Sequence, residues 1–201
     1  MTMQTPLYPR SVSIGDMTVT LRPLAPGDAA MVRQFAEAMP PHDLLFLLRD
    51  IRNERVVAAW LDQIASGQIE SLLACAADGT ILACTALVRD ELSWSPHVAE
   101  IRILIAPAAR GTGLGRLLAL ECVNAARDRG VEKLYVRMTP DQPAAMRVFE
   151  DMGFKPEALL RDQVRDAAGA THDILILGLN LARQGRQQDA YGLGEESRER
   201  A

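Results

Sequence analysis

The stretch "ARGTGLGR", residues 109–116, constrains the fold of this chain more than any other segment. Gly111, Gly113 and Gly115 fall at every second position between two apolar runs, "IRILIAP" and "LLALECVNAAR". Glycine weakens a regular element by roughly 0.5–1 kcal/mol relative to alanine, so three of them together need a reason. The pattern predicts a strand ending at Pro107, a tight passage, and a helix opening at the glycines. Either the backbone bends where side chains would obstruct, or it must come close to something. A helix N-terminus offers unpaired N–H groups and about half a positive charge, and glycines there let the main chain close on phosphate oxygens. A strand-to-helix turn without a ligand would satisfy the loop taken alone.

Two familiar phosphate loops are excluded by spacing. A P-loop requires G-x-x-x-x-G-K-[ST], and no lysine–hydroxyl pair follows here. A dinucleotide fingerprint requires G-x-G-x-x-G and an acidic residue about 20 positions on. Here the spacing is G-x-G-x-G, and Tyr135 occupies the downstream position.

The flanking sequence reads as one mixed α/β domain. Met17, Val19 and Leu21 alternate with threonines, as in a half-buried strand. Helices are expected over "PGDAAMVRQFAEAMP", with Asp28 as N-cap, and over "ERVVAAWLDQIASG", closed by Gly67. The run "PHDLLFLLRDI" between them fits no period. Asp78-Gly79 between two apolar runs predicts a tight hairpin. A further strand, "HVAEIRILIAP", leads to the glycines. The helix they open places Leu114, Leu117, Leu118, Cys122 and Ala125 on one face and ends at Gly130. Then follow the strand "VEKLYVRM", the helix "QPAAMRVFEDMG", and two last strands in "FKPEALLRDQVRD" and "THDILILGLNL". The expected organisation is an extension over 1–16, a domain over 17–182 and a polar, disordered tail over 183–201.

Composition narrows the function. A net charge of −4 argues against a dedicated nucleic-acid binder. No run approaches the ~18 apolar residues of a membrane span, and, with no apolar stretch of signal-peptide length in "MTMQTPLYPRSVSIGD", no secretion signal is expected. Cys75, Cys84 and Cys122 are scattered among apolar neighbours, which fits core thiols in a reducing compartment, the cytoplasm, and neither a disulfide framework nor a metal site.

Arg110-x-x-Gly113-x-Gly115, directly after a strand and opening a long helix, resembles the [QR]-x-x-G-x-[GA] signature of the GNAT superfamily of acyl-CoA-dependent N-acyltransferases. Downstream, "QPAAMRVFEDMGF" is similar to that family's N-x-x-A-x-x-[LF]-Y-E-[KR]-x-G-F helix, with Ala145, Glu150, Gly153 and Phe154 in register. The resemblance covers roughly residues 17–181. It implies a central, mostly antiparallel sheet of six to seven strands with one splayed pair, flanked by about four helices.

The resemblance also implies a donor, acetyl-CoA, and its site. Arg110, Gly111, Thr112, Gly113, Leu114, Gly115 and Arg116 would meet the pyrophosphate. Ile103, Leu104 and Ile105 would run beside the pantetheine arm, the backbone of Ile103 and Ile105 pairing with its amides and offering an N–H to the thioester carbonyl. Gln142 and Phe149 stand where the family carries an asparagine and a tyrosine near the CoA sulfur, so the usual proton donor is missing. A thiolate whose unperturbed pKa is about 8.5 leaves readily without one. Glu100 is the expected general base, its alternative being a solvated strand-end charge. His97, and His172 with Asp173, are secondary candidates, and Tyr135 is a possible substitute acid. Phe46, Leu47 and Trp60 could line the acceptor pocket. His42, Asp43, Arg49, Asp50 and Arg52 mix both signs, so sequence sets no charge preference for the acceptor. The expected function is acetyl transfer to a primary amine of a small molecule or amino acid. The alternatives are an acyl-CoA-binding protein with little turnover, acylation of a protein amine, or a longer acyl donor. A homodimer is expected by analogy alone.

Overall fold

The computed structural model describes residues 7–183. The predicted tail therefore lies outside the described residues, Arg183 excepted. One nine-stranded sheet forms the centre, built from β1 (Arg10–Ile14), β2 (Met17–Pro23), β3 (Ile69–Glu70), β4 (Leu72–Cys75), β5 (Ile81–Arg89), β6 (Val98–Ile105), β7 (Lys133–Met138), β8 (Lys155–Arg165) and β9 (Thr171–Asn180). Its order is β1-β2-β4-β5-β6-β7-β9-β8, with β3 beside β5. Every pairing is antiparallel except β6 with β7.

The helices are α1 (Ala29–Glu37), α2 (Glu54–Ala65), α3 (Leu114–Asp128) and α4 (Pro143–Asp151). Helices α1 and α2 cover one face, where Val32, Phe35 and Val57 pack on Leu73, Cys84 and Leu104. Helices α3 and α4 cover the other. There Cys122, Val123 and Phe149 pack on Ile101, Leu134 and Val136, and Leu114 and Leu118 on Val19, Leu21 and Ala83. The unclassifiable run becomes a 3-10 turn, Pro41–Leu47, between α1 and α2.

Two strands exceed the six to seven expected. Strand β1 lies within the predicted extension. It pairs with β2 from Arg10↔Leu21 to Ile14↔Met17 through a turn at Gly15 (φ +57°). Only Val12 and Ile14 of its residues are apolar, too weak a pattern to single out by period. Strand β3 has two residues and exists because β5 extends past β4. The hairpin at Asp78-Gly79 is looser than expected. Gly79 N–H donates to Ala76 C=O and only Gly79 has positive φ, which is a three-residue loop with a glycine bulge. Asp28 precedes α1 as expected, but its carboxylate accepts from Arg22 (2.7 Å, twice) and from Ala25 N–H instead of capping the helix.

Candidate active site

The site begins where β6 and β7 part. Their parallel ladder runs only from Val98↔Lys133 to Ile101↔Val136. Beyond it β7 stays paired with β9 through Met138, while β6 stays paired with β5 through Ile105. Ala106 N–H donates to Leu82 C=O (2.8 Å), so the even-numbered residues of β6, Leu104 among them, turn their backbone groups to β5. Ile103 and Ile105 consequently direct theirs into the opening. Leu104 is 4% exposed, its side chain held among the α1/α2 core residues.

At the open end of β6 stand the glycines. Gly111 (φ +74°) and Gly113 (φ +94°) take the left-handed conformation that side chains resist, and Gly113 caps α3. Gly115 is helical, and a Cβ there would lie 3.0 Å from Ile105 Cδ1. The glycines thus serve both reasons: a turn only glycine makes easily, and a helix start pressed against β6. Leu114 anchors that start in the core at 0% exposure. Thr112 Oγ1 donates to Ala109 C=O (2.8 Å), tightening the loop. Gly111 and Arg116 are exposed. A strand edge opened away from β7, beside a helix N-terminus, fits a long ligand with amides at one end and phosphates at the other.

The 3-10 turn crosses this opening as a strap. His42 Nε2 meets Asp141 (2.9 Å) and Thr139 Oγ1 (3.4 Å), both just past β7. The adjacent Asp43 accepts from Arg110 (2.5 Å), whose guanidinium also donates to Ile105 C=O (3.2 Å). Neighbouring residues therefore tie the strap to both sides of the gap. His172 packs edge-on against His42 (5.0 Å) and pairs with Asp166 (2.9 Å), while Asp173 accepts from Asp162 N–H. The bonds from Thr139 and His42 hold Asp141 below the usual carboxylate pKa range, and the bond from His172 does the same for Asp166.

Glu100 is 3% exposed and so is no solvated strand-end charge. Register places Tyr135 directly opposite on β7. Glu100 Oε2 accepts from Arg102 (2.7 Å) and, at 3.4 Å, from Tyr135. Arg137 Nε lies 3.6 Å from Oε1, which has no hydrogen-bond partner among the described residues. Burial, and then the charge of Glu100, raise the Tyr135 pKa above its ordinary value. Arg102 and Arg137 gave no signal in the sequence; strand alternation combined with the β6–β7 register would have found them. His97 is exposed and engages β7 only through its C=O, apart from this cluster.

Gln142 precedes α4 and makes no side-chain cap bond. Phe149 is 8% exposed and packs edge-on against Phe154 (5.2 Å). Beside Arg102, a cavity of about 60 Å³ opens between α2 and β5/β6, with Leu47 and Trp60 in its wall. Phe46 is instead a core residue. A larger cavity of about 450 Å³ lies at the far end of α3, around Asp128 and Arg129, away from the opened edge.

Comparison with known proteins gives relatives for this arrangement. The chain is 38% identical over 60 residues to mycothiol acetyltransferase of Rhodococcus erythropolis, covering 29% of this chain and 20% of that protein. It is 30% identical over 84 residues to streptothricin acetyltransferase of Streptomyces lavendulae, covering 42% and 43%. The matched stretches thus span a fifth to under half of those proteins. Among solved structures, spermidine N-acetyltransferase from Vibrio cholerae in complex with CoA and spermine superposes with a TM-score of 0.68 at 18% identity, covering 82% of this chain and 96% of that one. A phosphinothricin acetyltransferase from Sinorhizobium meliloti in complex with acetyl-CoA gives 0.68 at 20% identity, covering 82% and 89%. The family model described as "Acetyltransferase (GNAT) family" matches residues 32–154, from α1 through the glycine loop to the end of α4. That match takes in more than half of the chain, which belongs to the GNAT acetyltransferase family.

Proposed function

We propose that this chain transfers an acetyl group from acetyl-CoA to the primary amine of a small molecule or amino acid, by direct attack. Family membership gives the reaction class and the donor. The observation that carries the finer reading is the β6 edge at Ile103 and Ile105, left open beside the N-terminus of α3.

When bound, acetyl-CoA supplies a thioester whose acyl carbon forms a C–N bond with the amine as the C–S bond breaks. In this reading Gly111, Thr112, Gly113, Leu114, Gly115 and Arg116 hold the pyrophosphate through N–H groups and the helix dipole, and Arg110 adds its charge on leaving Asp43. The Ile103 and Ile105 backbone pairs with the pantetheine amides, and one N–H steadies the oxygen of the thioester carbonyl. Glu100 takes the amine proton on Oε1, the oxygen without a hydrogen-bond partner. Gln142 and Phe149 flank the departing thiolate without an acidic proton to give it. Burial pushes the thiols of Cys84 and Cys122 up to about 12, which supports transfer without an acyl-cysteine intermediate.

Buried, unpaired thiols also support a reducing compartment, which we take to be the cytoplasm. Among the described residues no helix is long and apolar enough to cross a membrane. A homodimer rests on analogy; one structural neighbour, a spermidine N-acetyltransferase, is dodecameric.

Thermal unfolding with acetyl-CoA and CoA, against ATP and NAD, tests the donor site. At 100-fold over the dissociation constant a ligand adds about 2.7 kcal/mol, or roughly 5–10 °C here. A shift with both CoA species and neither control is expected, followed by amine-dependent thiol release. No shift at millimolar CoA would overturn the assignment. A shift without thiol release from any amine would favour the low-turnover alternative suggested by Phe149.

A further inference from the structure

The acceptor side carries a charge imbalance that the sequence did not disclose. Two guanidiniums, those of Arg102 and Arg137, stand beside one carboxylate, Glu100, and a third, that of Arg49, lines the cavity that Arg102 also reaches, in a chain whose net charge is −4. The nearby acids are committed elsewhere: Asp50 to Arg52, and Asp43 to Arg110. Arg49 has no hydrogen-bond or ion-pair partner among the described residues, and the Nε of Arg102 is buried without one. Both arginines reach the 60 Å³ cavity, whose remaining wall is apolar apart from Gln63 and the Thr85 position, with Leu47, Ile51, Val56 and Trp60 among its side chains. Trp60 has already spent its indole N–H on Ser71 (3.0 Å).

A buried guanidinium N–H without an acceptor, such as the Nε of Arg102, is costly until a ligand supplies one. A guanidinium fork matches the two oxygens of a carboxylate better than any neutral acceptor does. Glu100 Oε1 is buried and has no hydrogen-bond partner among the described residues, which leaves it an acceptor to offer.

Building on the acetyl-transfer reading above, we propose that the acceptor is an α-amino acid with an apolar side chain, its carboxylate held by Arg49 and Arg102. Its amine then faces Glu100 Oε1 and its side chain enters the cavity under α2. A polyamine or other purely cationic acceptor is disfavoured at this position by the guanidiniums of Arg49 and Arg102.

The test pairs leucine, methionine and phenylalanine with their amides, which keep the amine and side chain and lose the anion. Thiol release from acetyl-CoA is measured for each, and binding of each to the CoA-loaded protein is measured by calorimetry. Charge-assisted hydrogen bonds predict that at least one acid exceeds its amide in kcat/KM and in affinity by about ten- to hundredfold. Arg49→Gln, an exposed substitution that should not disturb folding, weakens the acid more than its amide and so shrinks that advantage. Arg102→Lys keeps the charge beside Glu100 but loses the fork, and lowers affinity for the acid selectively. The proposal is overturned if amides serve as well as acids, if R49Q slows both alike, or if no acid binds the CoA-loaded protein. Absence of any acetyl-CoA-induced thermal shift would instead sink the donor reading on which it rests.

Discussion

Gly113 and Gly115 lie two residues apart and are glycines for different reasons, which alanine substitution separates. At Gly113 φ is +94°, where an L-residue costs about 1–2 kcal/mol. A Cβ there would also sit 3.2 Å from Ile14 Cγ2, so β1 must give by a few tenths of an ångström. Together the two effects put Gly113→Ala at about 1–3 kcal/mol of lost stability. For a chain of this size that lowers Tm by roughly 2–12 °C. Gly115 has helical φ, where alanine is favoured by up to ~1 kcal/mol. Its new Cβ meets only Ile105 Cδ1 at 3.0 Å, the far end of a side chain that can turn. Gly115→Ala should therefore keep Tm within about 3 °C. Its methyl group, however, stands at the opening turn of α3 beside β6, where the donor's phosphates must approach. Thermal unfolding of both variants, with and without acetyl-CoA, separates the effects. G113A should melt early, and G115A should melt normally but lose most of its ligand-induced shift. A G113A protein as stable as the parent, or a G115A protein with an undiminished shift, would refute the division of roles.

Other expectations follow from the neighbouring chemistry. Glu100→Gln should lower kcat by about 10²–10⁴, since the base is lost; an unchanged rate would exclude Glu100 as base. Phe149→Tyr should raise kcat if protonation of the thiolate limits turnover, and an unchanged kcat would place the limit elsewhere. Asp28→Asn should cost about 1–3 kcal/mol at pH 7, because the buried carboxylate holds Arg22 through two bonds. Arg22 depresses the Asp28 pKa, so this stabilisation is complete above the ordinary carboxylate range and fades as pH falls below about 4. Equilibrium unfolding of parent and D28N should accordingly converge in acid; a gap constant with pH would refute the ion-pair account.

The strand–glycine–helix junction was legible in the sequence and the surroundings of Glu100 were not. Glycine spacing, a proline-ended strand and an apolar helix face are local, so "ARGTGLGR" could be placed on its strand–helix junction from 20 residues alone. Tyr135 and Arg137 meet Glu100 only because β6 and β7 pair in parallel at one register, a relation between segments 35 residues apart that no local period encodes. The strap escaped notice for a related reason. Residues 41–47 have no helical or strand period, and their shape depends on what His42 and Asp43 grasp across the gap. Strand β1 failed from the opposite cause: its pattern is regular but only half apolar.

One guanidinium has two employments. Arg110 closes the strap by holding Asp43 and Ile105 C=O, yet in the proposed donor site it is also called on to lend its charge to the phosphates. Linkage makes that sharing reciprocal: whatever steadies the strap weakens the donor by the same factor that the donor loosens the strap. An acceptor that favours the closed strap would then compete with its own co-substrate. Such competition would give substrate inhibition that is relieved by more acetyl-CoA. Acceptor affinities measured without the donor would accordingly rank compounds by how well they hold the strap shut, an order that need not match their order as substrates.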